Sequence, residues 1–463
     1  MSDNFKTDTL DSLCELIVDC PHSTPTWTTF GYVVIRNQNI TDGVLDLSSP
    51  SYTDYSGYRD RTKRASPQEN DIVITREAPM GRVCLIPKEP ICCLGQRQVL
   101  LRADRNKISA EYLYWSLRSP FVQRQILINE GTGATVSNMR MPVLKALEIP
   151  RLASIEIENK KARDLSNIQN KIQLNTQINQ TLEQIAQALF KSWFVDFEPV
   201  RAKVQALSDG LSLEQAELAA MQAISGKTPE ELTALSQTQP DRYAELAETA
   251  KAFPCEMVEV DGVEVPKGWK QTTLSEICEM QNGYAFKSSD WMEQGIPVIK
   301  IGSVKSMIVE VEGNGFVSED YSKLKPDFLL TSGDILVGLT GYVGEVGRIP
   351  TGKIAMLNQR VAKFLPKEID KNHCFYNYIY CLARQSQFKE FAEINAKGSA
   401  QANISTKELL KFPIIKANDE LHILFENKIK ATLERILINS LNSENLAITR
   451  DLLLSKLLNG ETS

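Results

Sequence analysis

The sequence has few of the residues that build metal and disulfide sites. It contains three histidines and nine cysteines in 463 residues, and no two cysteines form a C-x-x-C pair. Zinc ribbons require such pairs, and secreted disulfide frameworks have regularly spaced cysteines. These nine are irregularly spaced, so we expect no metal, reduced thiols and a cytoplasmic protein. His22, His373 and His422 are far apart in the sequence, and we interpret each as a surface or packing residue rather than a ligand.

Long apolar runs are also missing. No stretch approaches the roughly 20 apolar residues of a membrane helix, and the first residues lack the basic-then-apolar pattern of a signal peptide. We therefore expect no membrane partner. A composition of 42% hydrophobic and 24% charged residues is typical of a globular protein, and the length predicts two or three domains.

Catalytic signatures are absent as well. Residues 225–228 read Ser-Gly-Lys-Thr, like the end of a phosphate-binding loop, but Met221 stands where the earlier glycine is required. The Asn-Pro-Pro and Asp-Pro-Pro motifs of amino-methyltransferases do not occur. A nuclease is disfavoured because Glu345 corresponds to Arg82 in the repeat described next, so its carboxylate has no counterpart there. We predict that the chain catalyses nothing.

What the chain does contain is a block that occurs twice, about 263 residues apart. Residues 9–15 (TLDSLCE) reappear as 273–279 (TLSEICE), and Trp27 keeps the same offset to Trp291. Further matches pair 71–73 with 334–336, 81–83 with 344–346, 96–97 with 359–360, and 133–138 with 398–403. A period this long indicates a duplicated domain rather than a solenoid repeat. Two copies on one chain favour a molecule that grips a bipartite ligand.

Each copy has the pattern of a mainly β domain that ends in helices. Short β-branched runs at 71–75 and 334–337 predict strands. Helices are predicted at 110–118 and 375–382, where we interpret the aromatic residues as core. Each copy closes on an extended piece, at 148–150 and 412–414.

A long helix is predicted after each copy. Residues 157–193 contain neither glycine nor proline, and their apolar residues keep one stripe on a helix about 55 Å long. Packing onto the helix's own domain is one reading of this stripe; its length favours two helices that pair as a coiled coil. The predicted coiled-coil or partner interface comprises Leu165, Ile168, Ile172, Ile178, Leu182, Ile185 and Leu189 with Ile429, Leu433 and Ile436.

The predicted fold class is therefore α+β, with two duplicated mainly-β/α domains joined by two long antiparallel coiled-coil helices. The predicted boundaries are 1–152 for the first domain, 153–204 for the central long helix, 205–264 for a connector with helical pieces, 265–418 for the second domain and 419–463 for the C-terminal long helix.

The net charge of −6 is unevenly distributed. Residues 205–265 hold 12 acidic and 3 basic residues, a local net charge of −9, which leaves +3 on the rest of the chain. The duplicated domains and their long helices are therefore mildly basic, which is compatible with phosphate contacts. A structural scaffold whose repeats bind protein remains an alternative, although it gives no reason for acidity to be segregated from the repeats.

Three stretches resemble the specificity subunits of type I restriction-modification systems. Residues 178–200 (INQTLEQIAQALFKSWFVDFEPV) are similar to the central conserved region of that family. Residues 265–269 (VPKGW) resemble its domain opening, and residues 453–461 (LLSKLLNGE) its usual ending. With the duplication, the resemblance covers nearly the whole chain.

The resemblance implies that each copy is a target-recognition domain for one half of a split, asymmetric sequence in double-stranded DNA. It implies that the long helices set the half-site spacing and dock two modification (methyltransferase) subunits. Those partners would bind S-adenosylmethionine and methylate adenine, and restriction subunits would join them with ATP and Mg for translocation and cleavage. No cofactor is expected in this chain itself.

Candidate DNA-contacting residues follow from charge and from the repeat. They are Arg76, Gln96, Arg97, Arg140, Lys300, Lys305, Gln359 and Arg360. The shared Gln-Arg pairs at 96–97 and 359–360 either contact DNA or hold the two folds alike. Residues that read two different half-sites should differ between the copies, so we expect the shared pairs to contribute little to base readout.

Overall fold

The computed structural model describes residues 6–77, 79–128, 138–313, 315–398 and 402–457. It divides the chain into two compact units: Met1–Gln173 together with Glu444–Ser463, and Leu174–Ser443. Most of the shared loop at 133–138, and residues 399–401 of its counterpart, lie outside the described residues. None of the helices that the structure describes has the length and apolar character needed to cross a membrane.

The first unit is built on a four-stranded antiparallel sheet. Its strand order is Cys14–Asp19, Gln98–Ala103, Ile72–Thr75, Val83–Leu85. A three-stranded sheet of Ser51–Thr53, Tyr32–Ile35 and Cys92–Leu94 joins it, and two-stranded pairs form between Thr7–Thr9 and Glu148–Pro150 and between Ile40–Thr41 and Val44–Leu45. All four residues of Ile72–Thr75 are buried, because they lie in the middle of the sheet between two apolar clusters.

Short helices cover this sheet. They are Leu10–Leu13, Tyr55–Thr62, Ala110–Arg118, Pro120–Ile128 and Met141–Lys145. The helix Ala110–Arg118 begins where predicted because the Ser109 hydroxyl accepts the Tyr112 N–H at 3.2 Å. Tyr112, Tyr114 and Trp115 are buried, as expected for core aromatics.

The second unit repeats this arrangement with larger sheets. The strand order of one five-stranded sheet is Cys278–Asn282, Val361–Pro366, Ile335–Gly338, Val346–Arg348, Met307–Ile308. The strand order of the other is Trp291–Met292, Phe316–Val317, Ile296–Ile299, Ala355–Leu357, Leu329–Leu330. Lys270–Thr273 pairs with Pro413–Lys416, as Thr7–Thr9 pairs with Glu148–Pro150 in the first unit. The helices of this domain are Tyr321–Leu324, Tyr376–Ala383, Ser386–Ile394 and Thr406–Leu409.

A helical subdomain and a hairpin precede the second domain. The helices are Glu198–Ser208, Leu213–Ser225, Pro229–Thr238 and Pro240–Ala252, and the hairpin pairs Met257–Val260 with Val263–Pro266. The Ser-Gly-Lys-Thr sequence joins two of these helices. Gly226 ends one with φ at 66°, and Thr228 caps the next by accepting the Glu231 N–H at 3.3 Å. The glycine and the threonine are therefore helix-capping residues.

The two long helices are Ile155–Phe194, of 40 residues, and Asp419–Leu457, of 39 residues. In the second unit they are antiparallel, because Asn175 bonds Ser443 while Asn179 bonds Ser440 and Asn439. In the first unit the Arg450 Nη1 lies 2.6 Å from the Gln169 Oε1.

The buried face of the first long helix is partly polar. Leu165 is buried, Ile185 is 53% exposed, and the other predicted interface residues of this helix are partly buried. The fully buried positions include Gln169, Asn175, Asn179 and Glu183, mostly one residue further along the chain than the predicted stripe. The difference arises because a search for apolar residues passes over polar side chains that are buried with hydrogen-bonding partners. Asn175 and Asn179 bond across the seam between the two long helices, whereas Glu183 bonds Tyr380. On the second helix Ile429, Leu433 and Ile436 are all buried.

Candidate nucleic-acid interface

Several of the predicted DNA-contacting residues meet at one end of the first domain's four-stranded sheet. Arg76 follows one strand and Arg97 precedes its neighbour, and the Arg76 N–H donates to the Arg97 carbonyl at 2.8 Å. The Arg76 side chain is 11% exposed and pairs with Asp19. It also donates to the Asn138 Oδ1 at 3.2 Å and to the Met139 carbonyl at 3.0 Å. Its hydrogen-bonding capacity is therefore largely used inside the domain.

Glu77 holds the exposed arginine of this group. Its Oε2 lies 2.9 Å from the Arg97 Nε, and its Oε1 accepts the Asn138 amide at 3.1 Å. The Arg97 side chain is 55% exposed and its φ of 69° is in the left-handed region, which non-glycine residues rarely adopt. The ion pair and the backbone bond from Arg76 fix Arg97 at the surface.

Gln96 closes a polar cleft beside this network. Its amide nitrogen donates to the His22 carbonyl at 2.5 Å and to the Thr24 hydroxyl at 3.3 Å. The cleft has a volume of about 360 Å³ and is lined by Thr24, Pro25, Trp27, Arg36, Asn37, Gln38, Gly95, Gln96 and Arg97. It presents two arginines and three amide side chains, which are the groups that bind phosphates and base edges.

The second domain repeats the backbone bonds of this network but not its charges. Leu339, whose N–H donates to the Arg360 carbonyl at 3.0 Å, takes the place of Arg76, and Thr340 takes the place of Glu77. The Thr340 hydroxyl donates to the Asn403 Oδ1 at 2.7 Å, at positions that correspond to Glu77 and Asn138. Because threonine replaces the glutamate, the exposed Arg360 has no carboxylate in that position, and it forms no ion pair with any residue that the structure describes. Gln359 is also exposed, and its N–H donates to the Tyr284 carbonyl at 3.0 Å.

The remaining candidates are Arg140, Lys300 and Lys305, of which Arg140 directly follows Met139 of the first network. Arg140 is exposed and directly precedes the helix Met141–Lys145. Lys305 is exposed, and Lys300 is half-buried against an aromatic ring.

Two ring–cation pairs in the structure are not among the features predicted from the sequence. The Arg36 guanidinium carbon lies 5.3 Å from the centre of the Trp27 ring, and the Lys300 Nζ lies 4.1 Å from that of Trp291. The signal was present in the repeat, since the offset of 264 that relates the tryptophans also relates Arg36 to Lys300.

Neither domain presents a metal centre in the part of the chain that the structure describes. Over the described ranges, no three histidine, cysteine, aspartate or glutamate side chains come together closely enough to hold an ion. The nine cysteines are free thiols, and burial raises the pKa of the Cys93 thiol to about 11.

Comparison with known proteins identifies a family and relatives that share this sequence pattern. The family model described as the type I restriction modification DNA specificity domain matches residues 3–184 and 266–420, one match for each copy. The chain is 42% identical over 371 residues to the type I restriction enzyme HindI specificity subunit of Haemophilus influenzae, covering 78% of this chain and 80% of that one. It is 25% identical over 433 residues to the MjaIX specificity subunit of Methanocaldococcus jannaschii, covering 90% and 85%.

A solved structure shares the fold. The S subunit of a type I restriction-modification system from M. genitalium aligns over 98% of this chain and 96% of its own, with a TM-score of 0.51 and 18% identity.

Two copies of one α+β domain, each followed by a long helix and each presenting a polar loop network, define a protein with duplicated recognition domains. The family-model matches and the HindI relative then make the family plain: this chain belongs to the specificity subunits of type I restriction-modification systems.

Proposed function

We propose that this chain selects the DNA sequence on which a type I restriction-modification complex acts, and that each domain reads one half of a bipartite, asymmetric target. The observation that carries the proposal is the duplication itself. Both copies match the DNA specificity domain, and both place a Gln-Arg pair beside a polar loop network. Two related but unequal surfaces suit a target whose two halves differ in sequence.

The candidate DNA-contacting residues fall into two groups, those with exposed side chains and those whose side chains are bonded within the domain. Arg97, Arg140, Lys305, Gln359 and Arg360 have exposed side chains; those that are basic are suited to neutralising phosphates. Such contacts position a protein on the duplex without reading its sequence. Arg76 is mostly buried and paired, so we assign it to holding the loop rather than the DNA. Gln96 has the same role through its bonds to residues 22 and 24.

We also propose that the long helices set the distance between half-sites and dock two modification subunits. Exposed apolar side chains on these helices support docking. They include Leu174 at 46% exposure, Ile185 at 53%, Ile438 at 44% and Ile448 at 52%. In this proposal S-adenosylmethionine binds the modification subunits, ATP and Mg serve the restriction subunits, and this chain catalyses no step. The target adenine is turned out of the duplex into a partner's site.

The test is to co-purify the chain with its host's modification subunits and to map methylated adenines in host DNA by single-molecule sequencing. The expected result is a split, asymmetric motif that disappears when the gene for this chain is deleted. If an assembled complex exists but no motif depends on the chain, the proposal is wrong, and the scaffold alternative takes its place.

A further inference from the structure

Each recognition domain carries a tryptophan whose ring is covered by a basic side chain. Arg36 lies over Trp27, and Lys300 lies over Trp291. A cation over an indole face is attracted by the ring quadrupole, which restricts where the end of a long, flexible side chain sits. The two pairs are 264 positions apart at both members, so they are equivalent positions of the duplicated domain.

The backbone around the two cations is the same in both copies. Arg36 directly follows the strand Tyr32–Ile35, and Lys300 directly follows Ile296–Ile299. Each cation then caps a single 3₁₀ turn, Asn37–Asn39 in one domain and Ile301–Ser303 in the other. The Arg36 N–H donates to Asn39 Oδ1 at 2.9 Å, and the Lys300 N–H donates to Ser303 Oγ at 3.2 Å. The backbone of each cation is therefore fixed before any ligand binds.

The ring–cation pair of the first domain lies beside the shared Gln-Arg sequence, and that of the second domain is linked to it through two further aromatic rings. In the first domain, Trp27 and Arg36 line the same cleft as Gln96 and Arg97, and Trp27 is 46% exposed. In the second domain a chain of aromatic contacts runs from Trp291 through Phe286 to Tyr284, with ring centres 6.0 and 5.0 Å apart. The Tyr284 carbonyl accepts the Gln359 N–H. In the first domain, a ligand that enters this cleft is thus close to Arg36.

The chemistry at these positions differs between the copies, unlike that of the Gln-Arg pairs. An arginine offers a planar fork that matches the two adjacent acceptors O6 and N7 of guanine, whereas a lysine offers one compact ammonium. Two half-sites of different sequence are suited to domains that share a backbone arrangement and differ in the side chain that contacts the bases.

We propose that Arg36 and Lys300 are specificity-determining residues, that Arg36 reads a guanine in the major groove of its half-site, and that Trp27 and Trp291 position these two cations. The inference rests on the proposed function, because it names the groups that discriminate bases within each half-site.

The experiment exchanges the two cations in the full complex. Arg36→Lys and Lys300→Arg are expressed singly with the modification subunits, and the methylated motif is mapped for each. Arg36→Lys should reduce the preference for guanine at one position of one half-site by about tenfold or more, since a bidentate arginine–guanine contact discriminates by roughly that factor. The other half-site should stay unchanged. Lys300→Arg should alter only the opposite half-site.

Matched controls test whether any exposed cation has this effect. Arg59 is exposed and lies over a ring of the same domain, 6.0 Å from the centre of Tyr55, and Arg59→Lys should leave the motif intact. Lys411 is an exposed cation of the second domain, paired with Glu408, and Lys411→Arg should also leave the motif intact. Trp27→Phe, which keeps an aromatic face, should retain the motif, while Trp27→Ala should weaken methylation without creating a new base preference.

Wild-type motifs that persist unchanged in both exchange variants would overturn the inference and leave the proposed function standing. So would an equal weakening of methylation at all sequences, because that outcome is typical of phosphate contacts. Arg36→Gln, tested in parallel, answers the same question if Arg36→Lys fails to assemble. By contrast, a wild-type chain on which no motif depends overturns the proposed function itself.

Discussion

At the scale of single residues, the second unit buries two groups that ordinarily titrate in water. His422 is fully buried among aromatic rings, stacked on Phe194 with ring centres 5.3 Å apart. Its burial, with a smaller effect of Lys416, lowers its pKa to about 3. Nearby, Glu426 accepts the N–H groups of Asn377 and Tyr378 at 3.0 and 2.7 Å, and burial raises its pKa to about 7.

The two groups act on stability in opposite directions. Unfolding exposes His422 to water, where it takes up a proton below pH 6.5, so its burial costs stability as the pH falls from 6.5 towards 3. The folded state holds the Glu426 proton up to about pH 7, so that group costs stability as the pH rises from 4.5 to 7.

Replacement of His422 isolates its share of this pH dependence. Between pH 7.5 and 5.0 the unfolding free energy of His422→Phe should rise by about 2 kcal/mol relative to that of the wild type, because only the wild type has this group to protonate on unfolding. Urea unfolding at the two pH values, followed by fluorescence of Trp193 and Trp269 in the same core, measures the difference. His22→Gln, at an exposed histidine, should behave like wild type; equal pH dependences in wild type and His422→Phe would contradict the account.

At the scale of elements, the helix seam of the second unit depends on a bonded amide pair. The Asn439 amide donates to Asn179 Oδ1 at 2.9 Å, and the Asn179 amide donates to the Ile436 carbonyl at 3.2 Å and to Ser440 Oγ at 3.1 Å. Buried amides that satisfy each other specify one register, because any other alignment leaves them unpaired.

A double-mutant cycle on this pair should show strong coupling. Asn439→Leu alone leaves Asn179 with a buried unpaired oxygen and should cost about 1–3 kcal/mol, whereas Asn179→Leu with Asn439→Leu should be close to neutral. Chemical unfolding of the four proteins gives the coupling energy. Asn442→Leu, at an exposed position of the same helix, is the control. Additive effects of the two seam changes would show that the amides do not act as a pair.

The Ser-Gly-Lys-Thr sequence contains the N-terminal cap of the helix Pro229–Thr238, whose contribution to stability can be tested. Thr228 and Glu231 bond each other's backbone N–H groups at 2.9 and 3.3 Å, so Thr228→Ala should destabilise the connector by about 1 kcal/mol. Thr228→Ser keeps the hydroxyl and should retain wild-type stability, as should Lys227→Ala. Thermal unfolding distinguishes these variants, and a Thr228→Ala protein as stable as wild type would remove the capping interpretation.

Prediction from sequence succeeded where the signal was local. The stretch 110–118 predicts a helix with the bounds that the structure shows, and its aromatic residues form the buried face as expected. The run at 71–75 predicts the central strand, which the structure places at Ile72–Thr75. The partners of Arg76 were not predictable in this way, since Asp19 is 57 positions away. Likewise, the amides of the seam are buried only because partners some 260 positions away satisfy them.

At the scale of the whole molecule, the helix-spacer proposal predicts how an altered chain would read DNA. Four residues inserted after residue 173, with four more after residue 443, add about 6 Å to both helices and keep Asn175 opposite Ser443. The gap between half-sites should grow by about two base pairs while both half-site sequences stay the same.

Mapping of methylated adenines in cells that carry the altered chain measures the gap directly. Four residues inserted in the connector turn after Gly210, which lies between two helices, should leave the gap unchanged. A new half-site sequence, or an unchanged gap with the lengthened helices, would count against the spacer proposal.

The first unit is built from two segments that are far apart in the sequence. This determines the order in which the two units are completed during synthesis. Leu454 is buried in the same cluster as Ala162 and Leu165, and Arg450 bonds Asp42 from 408 positions away. A ribosome releases this closing segment only after residues 174–443 have emerged, so the second unit has all of its residues before the first unit does. The domain that is synthesised first is therefore the one completed last. A chain that terminates early holds an unfinished first unit, however well its second unit has folded.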